Sequence, residues 1–322
     1  MRIFLAGHRG MVGSAILRHL AADAQHEVVT ATHAELDLTR QRDVEAFIAD
    51  ARVDAVILAA ARVGGIWANA TQPADFIYDN LAIATNVIHA AHRAGVNRLL
   101  SLGSSCIYPR DAPQPIREEA LMTGPLEPTN APYAVAKIAA LELCNSYNRQ
   151  YGRDYRALMP TNLYGPGDNF HPNHAHVLPA LIARFHEAAA EGAEEVTLWG
   201  TGRPRREFLH VNDLARAALF AMGLPKAAFF AALPKGCCHI NVGTGEDITI
   251  LSLAQMIAEV AGFDGRIVLD RDKPDGTPRK LLDVQRMSGL GWEARISLQR
   301  GIVETCAWYQ AQRAAGTELR AS

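Results

Sequence analysis

Short apolar segments alternate strictly with helical periodicity over the first 160 residues, and this constrains the fold of the chain more than any other feature. Ile3–Ala6, Glu27–Thr30, Asp54–Ala60, Arg98–Gly103 and Tyr155–Pro160 read as strands, with helices over about 12–24, 43–51, 74–94 and 132–151 between them. In the first helix Val12, Ile16, Leu17 and Leu20 share one face. After its leading aspartate, Asp54–Ala60 is apolar throughout, as a strand buried by helices on both sides must be. The alternation predicts an α/β fold with a doubly wound, Rossmann-type parallel sheet.

After residue 165 the rhythm breaks. A loop over 165–172 leads to a helix at about 176–190 and a strand at Val196–Trp199, and the stretches 235–245 and 262–282 are rich in Gly, Pro, Asp and Lys. We expect a dinucleotide-binding domain over 1–165 and a smaller α+β substrate domain over 166–322. The two are interleaved, with returns to the first sheet near 207–225 and 239–245. At 322 residues the chain has room for both. Its 49% apolar and 20% charged content excludes wholesale disorder. Thirty-two basic against thirty-four acidic side chains argue against a nucleic-acid partner. No apolar run reaches the roughly 18–20 residues that span a bilayer, so no membrane association is expected. The five scattered cysteines, Cys106, Cys144, Cys237, Cys238 and Cys306, suggest neither a disulfide framework nor a zinc site. The expectation is a protein of the reducing cytoplasm.

Gly7, Gly10 and Gly13 form G-x-x-G-x-x-G between the first strand and the first helix. Glycine there permits a tight turn and lets backbone approach a pyrophosphate at the helix N-terminus, where Met11 and Val12 begin the helix. A tight turn alone is the bland reading; the strand–turn–helix context favours a dinucleotide. No acid closes the second strand, which ends Thr30-Ala31-Thr32-His33, whereas NAD binders place one there for the ribose hydroxyl. Arg9, a cation inside the loop, suits a 2′-phosphate. NADP(H) is therefore expected over NAD(H).

Tyr133 and Lys137 lie four apart on a predicted helix, hence on one face. Upstream, a strand ends in Ser104-Ser105-Cys106, and open α/β sheets place ligands at such ends. A tyrosine of reference pKa about 10 is a poor acid–base near neutrality, and a lysine ammonium beside it favours the phenolate. A serine hydroxyl can hold a substrate carbonyl.

With these motifs the chain resembles the extended short-chain dehydrogenase/reductases of the sugar-nucleotide branch. Within that branch it resembles the GDP-L-fucose synthase family. The likeness is carried by His8–Gly13, Gly103–Pro109, Glu127–Asn130, Met159–Pro166 and Lys273–Lys280. It runs from the N-terminus to about residue 310. Its most discriminating features are the cysteine after the serine pair and the Lys273–Lys280 loop. The resemblance implies a GDP-sugar substrate, GDP-4-keto-6-deoxy-D-mannose, whose C3 and C5 are inverted before C4 is reduced with NADPH. It implies hydride-step roles for Ser104, Tyr133 and Lys137, and an epimerisation acid–base pair in Cys106 and His176. For the cofactor it implies Gly7, Arg9, Gly10, Met11, Val12, Gly13, His33, Asp37, Leu38, Ser104, Lys137, Pro160, Asn162, Leu163 and His176. For the substrate it implies Arg184, Trp199, Arg206 and Asp275, with Asn162 also in contact. It further implies a homodimer built on the helices 74–94 and 132–151, with Ile77, Leu81, Leu141 and Leu143 among the apolar residues. The chain departs from the family at His33, where an arginine is frequent.

The chemistry supports these roles independently. A C4 ketone acidifies the protons on C3 and C5, and inversion needs a group on each face of the ring. Reference pKa values of about 8.5 for Cys and 6.5 for His suit both to proton transfer near neutrality. Each residue also has a bland reading. Cys106 is a buried thiol, Arg184 a solvated helix side chain, Trp199 a core aromatic and Asp275 a turn former. His171, His174 and His176 crowd one loop, but with no carboxylate nearer than Asp168 no metal is expected. The rivals are a nucleotide-sugar 4-epimerase or dehydratase on the same fold, and a cofactor-sensing protein without chemistry. Cys106, and the absence of an Asp/Glu pair near the serines, speak against the first. Intact Tyr133 and Lys137 speak against the second.

Overall fold

The computed structural model describes residues 1–23, 25–171, 175–273 and 275–316, apart from the side chains at 66 and 67. His174, and positions 172 and 274 within the ranges given above, lie outside that set. The strands are β1 (Arg2–Ala6), β2 (Glu27–Val29), β3 (Ala55–Leu58), β4 (Arg98–Leu102), β5 (Asp154–Pro160), β6 (Asn162–Tyr164), β7 (Glu195–Trp199), β8 (Arg205–His210), β9 (His239–Val242), β10 (Asp247–Thr249), β11 (Arg266–Asp270) and β12 (Arg279–Lys280). The helices are α1 (Met11–Ala21), α2 (Gln41–Ala51), α3 (Ile66–Thr71), α4 (Pro73–Arg93), α5 (Ala131–Tyr151), α6 (Val177–Glu191), α7 (Val211–Gly223), α8 (Lys226–Ala231), α9 (Ile250–Ala261), α10 (Gln285–Gly289) and α11 (Leu298–Ala314).

Six parallel strands in the order β2-β1-β3-β4-β5-β9 form the main sheet. Every residue of β3 and β5 is buried, because helices cover both faces. On one face Val44 and Ile48 of α2, Val87 and Ile88 of α4, and Leu141 and Cys144 of α5 pack against alternate strand residues such as Val56 and Leu99. On the other, Ile16 and Leu20 of α1 and Leu214, Ala218 and Met222 of α7 meet Ile57, Leu100 and Leu158. Each such aliphatic side chain contributes roughly 1.5–3 kcal/mol by leaving water. Leu141, expected at a subunit surface, is 1% exposed and belongs to this core.

The chain leaves the main sheet at Thr161. There β6 turns away to pair with β8, and Thr161 Oγ1 and Asn162 Nδ2 both donate to the Glu207 carbonyl. The strand expected to return at Glu207–Val211 therefore does not rejoin the first sheet. It is the centre of a second one, between β10 and β12 with β6 alongside. Only the helix after it, α7, goes back, packing on α1; the strand that returns is β9. A third sheet pairs β7 with β11, and α6, α9 and α11 form a separate core around Leu181, Phe185, Leu253, Ile257 and Ile302.

Hydrogen bonds just beyond β12 help hold it in place. The buried Glu207 carboxylate accepts from the Thr244 and Gly245 amides at 2.7 and 2.8 Å and from the Leu282 amide at 3.0 Å. Ile116, in the loop after β4, donates to Leu281 O and accepts from Asp283 N, both at 2.8 Å.

Candidate active site

The C-terminal ends of β1, β4 and β5 open into a cleft of about 2270 Å³, closed on the far side by β7, β8 and the 275–280 segment. That is more than twice the roughly 1000 Å³ of a large single-ligand pocket, so it has room for two.

At one end lies the glycine turn. Gly7 sits at φ +85°, and a Cβ there would fall 2.6 Å from Ala60 N. A Cβ on Gly13 would fall 2.0 Å from Gly7 O. Gly13 thus seats α1 against the turn without lining the cleft. Met11 and Val12 do line it, at a helix end whose first N–H groups have no intrahelical acceptor. The turn and helix end therefore fit a pyrophosphate. Arg9, His33, Asp37 and Leu38 line the adjoining groove. The Asp37 carboxylate is occupied by the Thr39 amide and hydroxyl at 2.9 and 2.7 Å, and these hold it below the usual range. The Leu38 carbonyl accepts from Asn86 Nδ2.

Mid-cleft, Ser104 caps the turn after β4, and its Oγ accepts from the Cys106 amide at 3.4 Å. Lys137 Nζ donates to Leu102 O at 2.9 Å and lies 5.7 Å from the Tyr133 ring centroid. Burial pushes Lys137 down to about 8; burial, then Cys106, raises Tyr133 far above its ordinary value. The Cys106 thiol is raised by burial, against the pull of Lys280, the Ser104 hydrogen bond and Lys137. His176, at the head of α6, opens onto the same space; burial and then Lys280 disfavour its charged form. Pro160, Asn162 and Leu163 form the wall between β5 and β6.

Toward the second sheet the predicted contacts divide. Arg206 lines the cleft, with its guanidinium donating to Thr277 O at 2.6 Å. Trp199 is 66% exposed, so it is no core aromatic, and Lys273 Nζ lies 5.6 Å from its ring centroid. Both Asp275 oxygens are taken by the Thr201 amide and hydroxyl at 2.9 and 2.6 Å. Arg184 is not brought to the cleft. Its position on α6 turns it toward β7, where it donates to Thr197 O at 2.8 Å. Residues absent from the expectation also line the cleft, Glu127, Asn130 and Lys280 among them. Their motifs were visible, but only tertiary packing brings them to the cleft. Among the described residues, no three His, Cys, Asp or Glu side chains converge as a metal site would require.

A glycine turn that fits a pyrophosphate beside a Ser–Tyr–Lys group defines a dinucleotide-dependent oxidoreductase. The chain belongs to the NAD dependent epimerase/dehydratase family, whose model matches residues 3–232. It is 58% identical over 308 residues to the GDP-L-fucose synthase of Escherichia coli (strain K12), covering 96% of each chain. Among solved structures it resembles a GDP-mannoheptose C4 reductase from Campylobacter jejuni with NADP bound, at TM-score 0.86 and 37% identity over 96% of this chain and 98% of that one. It also resembles a GDP-L-fucose synthetase from Naegleria fowleri bound to NADP, at TM-score 0.85 and 26% identity over 97% and 95%.

Proposed function

We propose that the protein converts GDP-4-keto-6-deoxy-D-mannose to GDP-L-fucose by inverting C3 and C5 and then reducing C4, with NADP(H) as cofactor. The observation that carries the reading is that two chemistries share one cleft. Ser104, Tyr133 and Lys137 suit ketone reduction, and Cys106, one turn from Ser104, interacts electrostatically with both Tyr133 and Lys137. His176 lines the same space. A plain C4 reductase has no use for the thiol.

Ser104 and Tyr133 hydroxyls hold the C4 carbonyl oxygen and favour the enolate formed when a neighbouring C–H is lost. Cys106 removes that proton, and His176 returns one to the opposite ring face. When bound, NADPH supplies the hydride to C4. Tyr133 passes its proton to the new alkoxide, and the Lys137 ammonium steadies the phenolate left behind. The glycine turn with Met11 and Val12 holds the pyrophosphate, and Arg9 with His33 the ribose phosphate. Gly10, Asp37, Leu38, Pro160, Asn162 and Leu163 shape the rest of that site. Arg206 faces the GDP diphosphate, and exposed Trp199 offers a stacking surface. Asp275 acts through the Thr201 turn. Arg184 takes part only if it leaves Thr197.

The same reading divides the chain near residue 165, with α7 and β9 added to the nucleotide-binding half. It makes the protein a homodimer paired through α4 and α5. It also places it in a reducing cytoplasm, in keeping with five free cysteines and the lack, among the described residues, of any helix long and apolar enough to cross a membrane.

The test is mass spectrometry of the sugar nucleotide in deuterated water beside NADPH oxidation. Cys106→Ser is expected to lose exchange at C3 and C5 by about 10²–10⁴-fold. Tyr133→Phe is expected to stop reduction while exchange continues. His176→Ala should resemble the cysteine variant. Wild-type exchange in Cys106→Ser would leave Cys106 a structural thiol and remove the epimerase half.

A further inference from the structure

One cation in the cleft has no part in the scheme above. Lys280 ends the 275–280 segment on β12, paired across from Arg206 on β8. The backbone on its C-terminal side is anchored at Leu281 O by the Ile116 amide, at Leu281 N by Gln114 Oε1 and at Leu282 N by the Glu207 carboxylate. These backbone ties, rather than partners of its own amine, set where Lys280 sits. Among the described residues no hydrogen bond or ion pair engages its amine. It lines the cleft with Cys106 and His176 and interacts electrostatically with both.

A thiol base must be ionised before it can act, and burial opposes that. Burial raises Cys106, so something must compensate. The ionisable groups around the site are Tyr133 and Lys137 from α5, His176 from α6, Arg206 from β8, Glu127 from the segment before α5, and Lys280. Tyr133, raised by burial and by Cys106, stays a neutral phenol. Lys137 is committed to Leu102 O and acts on the thiol less than Lys280 does. Arg206 and Glu127 act on Lys280, and in opposite senses.

We propose that Lys280 is the positioning cation of the epimerisation step, its ammonium holding Cys106 as the thiolate that removes the ring proton. The thiol proton leaves to cleft water, and no bond forms between the two side chains. The proposal rests on Cys106 being the epimerisation base. Lys280 acts through it rather than on the substrate.

The test is the pH profile of Cys106 alkylation by iodoacetamide on the full-length enzyme without sugar nucleotide. It is read on the tryptic peptide 99–110, which holds no other cysteine. Lys280→Met is expected to move the inflection upward by at least about one pH unit, roughly tenfold less alkylation at pH 7.5. Lys280→Arg is expected to stay near wild type. Deuterium exchange into the substrate should fall in step in Lys280→Met, with NADPH binding by fluorescence retained. Should Lys280→Met fail to bind NADPH, Lys280→Gln and Lys280→Arg make the same comparison. An unmoved inflection with a raised KM for the sugar nucleotide would overturn the proposal and assign Lys280 to the diphosphate. Wild-type exchange in Cys106→Ser, with the inflection still moved by Lys280→Met, would remove the base assignment but not the pairing.

Discussion

At the scale of single residues, Arg9 and His33 line the groove beside the glycine turn, and Glu35 stands near Arg9. The Thr32 amide and hydroxyl hold Glu35 below the usual carboxylate range, with His8 and Arg9 adding to that. An acid thus stands close to the cation that would meet a ribose phosphate, and a histidine occupies the second position. The ratio of kcat/KM for NADPH over NADH should therefore rise severalfold in His33→Arg, which brings a permanent, bidentate cation to that position. Steady-state kinetics with both cofactors decide it; an unchanged ratio excludes position 33 from the phosphate site. The glycines and the Tyr133–Lys137 pair were legible in the sequence because local geometry dictates them, through a tight turn and a helical repeat. Lys280 and Glu127 were not, since nothing local says which surface a strand end or a loop will face. Arg184 shows the converse: a plausible residue type on a helix whose orientation spends it on Thr197.

Among the secondary elements, α4 and α5 leave one face incompletely covered. Tyr78 is 68% exposed and Val135 43%, and Ile77 and Leu81 continue the α4 stripe half-buried at helical spacing. A second copy covering that stripe would give an isologous four-helix contact. The paired change Tyr78→Glu with Val135→Glu should shift sedimentation from dimer toward monomer, while NADPH binding persists. A wild-type monomer at micromolar concentration would dismiss the dimer. The periodicity of both helices was plain in the sequence, yet it did not separate Leu141, sealed against the sheet, from residues facing out. A hydrophobic stripe reports that something covers it, not whether that is the same chain or another. The strand at 205–210 was misplaced for a related reason. Its apolar pattern fits either sheet, and the choice is made by β6 turning away after Pro160.

Across the whole molecule, buried acids set how stability responds to pH. Asp168, 8% exposed, has one oxygen accepting from Asn169 N at 2.8 Å and the other without a partner among the described residues. Burial pushes it up to about 7, against that hydrogen bond. Between about pH 4 and 7 the unfolded chain gives up this proton while the folded one keeps it. This group therefore lowers stability as pH rises, by a few kcal/mol at most at pH 8. Asp168→Asn should flatten the stability profile between pH 4 and 8; urea denaturation at several pH values would show it, and an unchanged slope would discount Asp168. The main sheet poses a different constraint. Its last strand, β9, is made from residues 239–242, after the chain has already built β6, β7 and β8 elsewhere. A piece ending near residue 165 would keep five strands but strip β5 of its neighbour. That would leave the backbone from Ala157 to Pro160 as an apolar open edge, ready to pair with other copies and aggregate. A cut near residue 165 therefore does not yield two sound halves: the main sheet is complete only once residues 239–242 have been made, so its first five strands must wait for the rest of the chain.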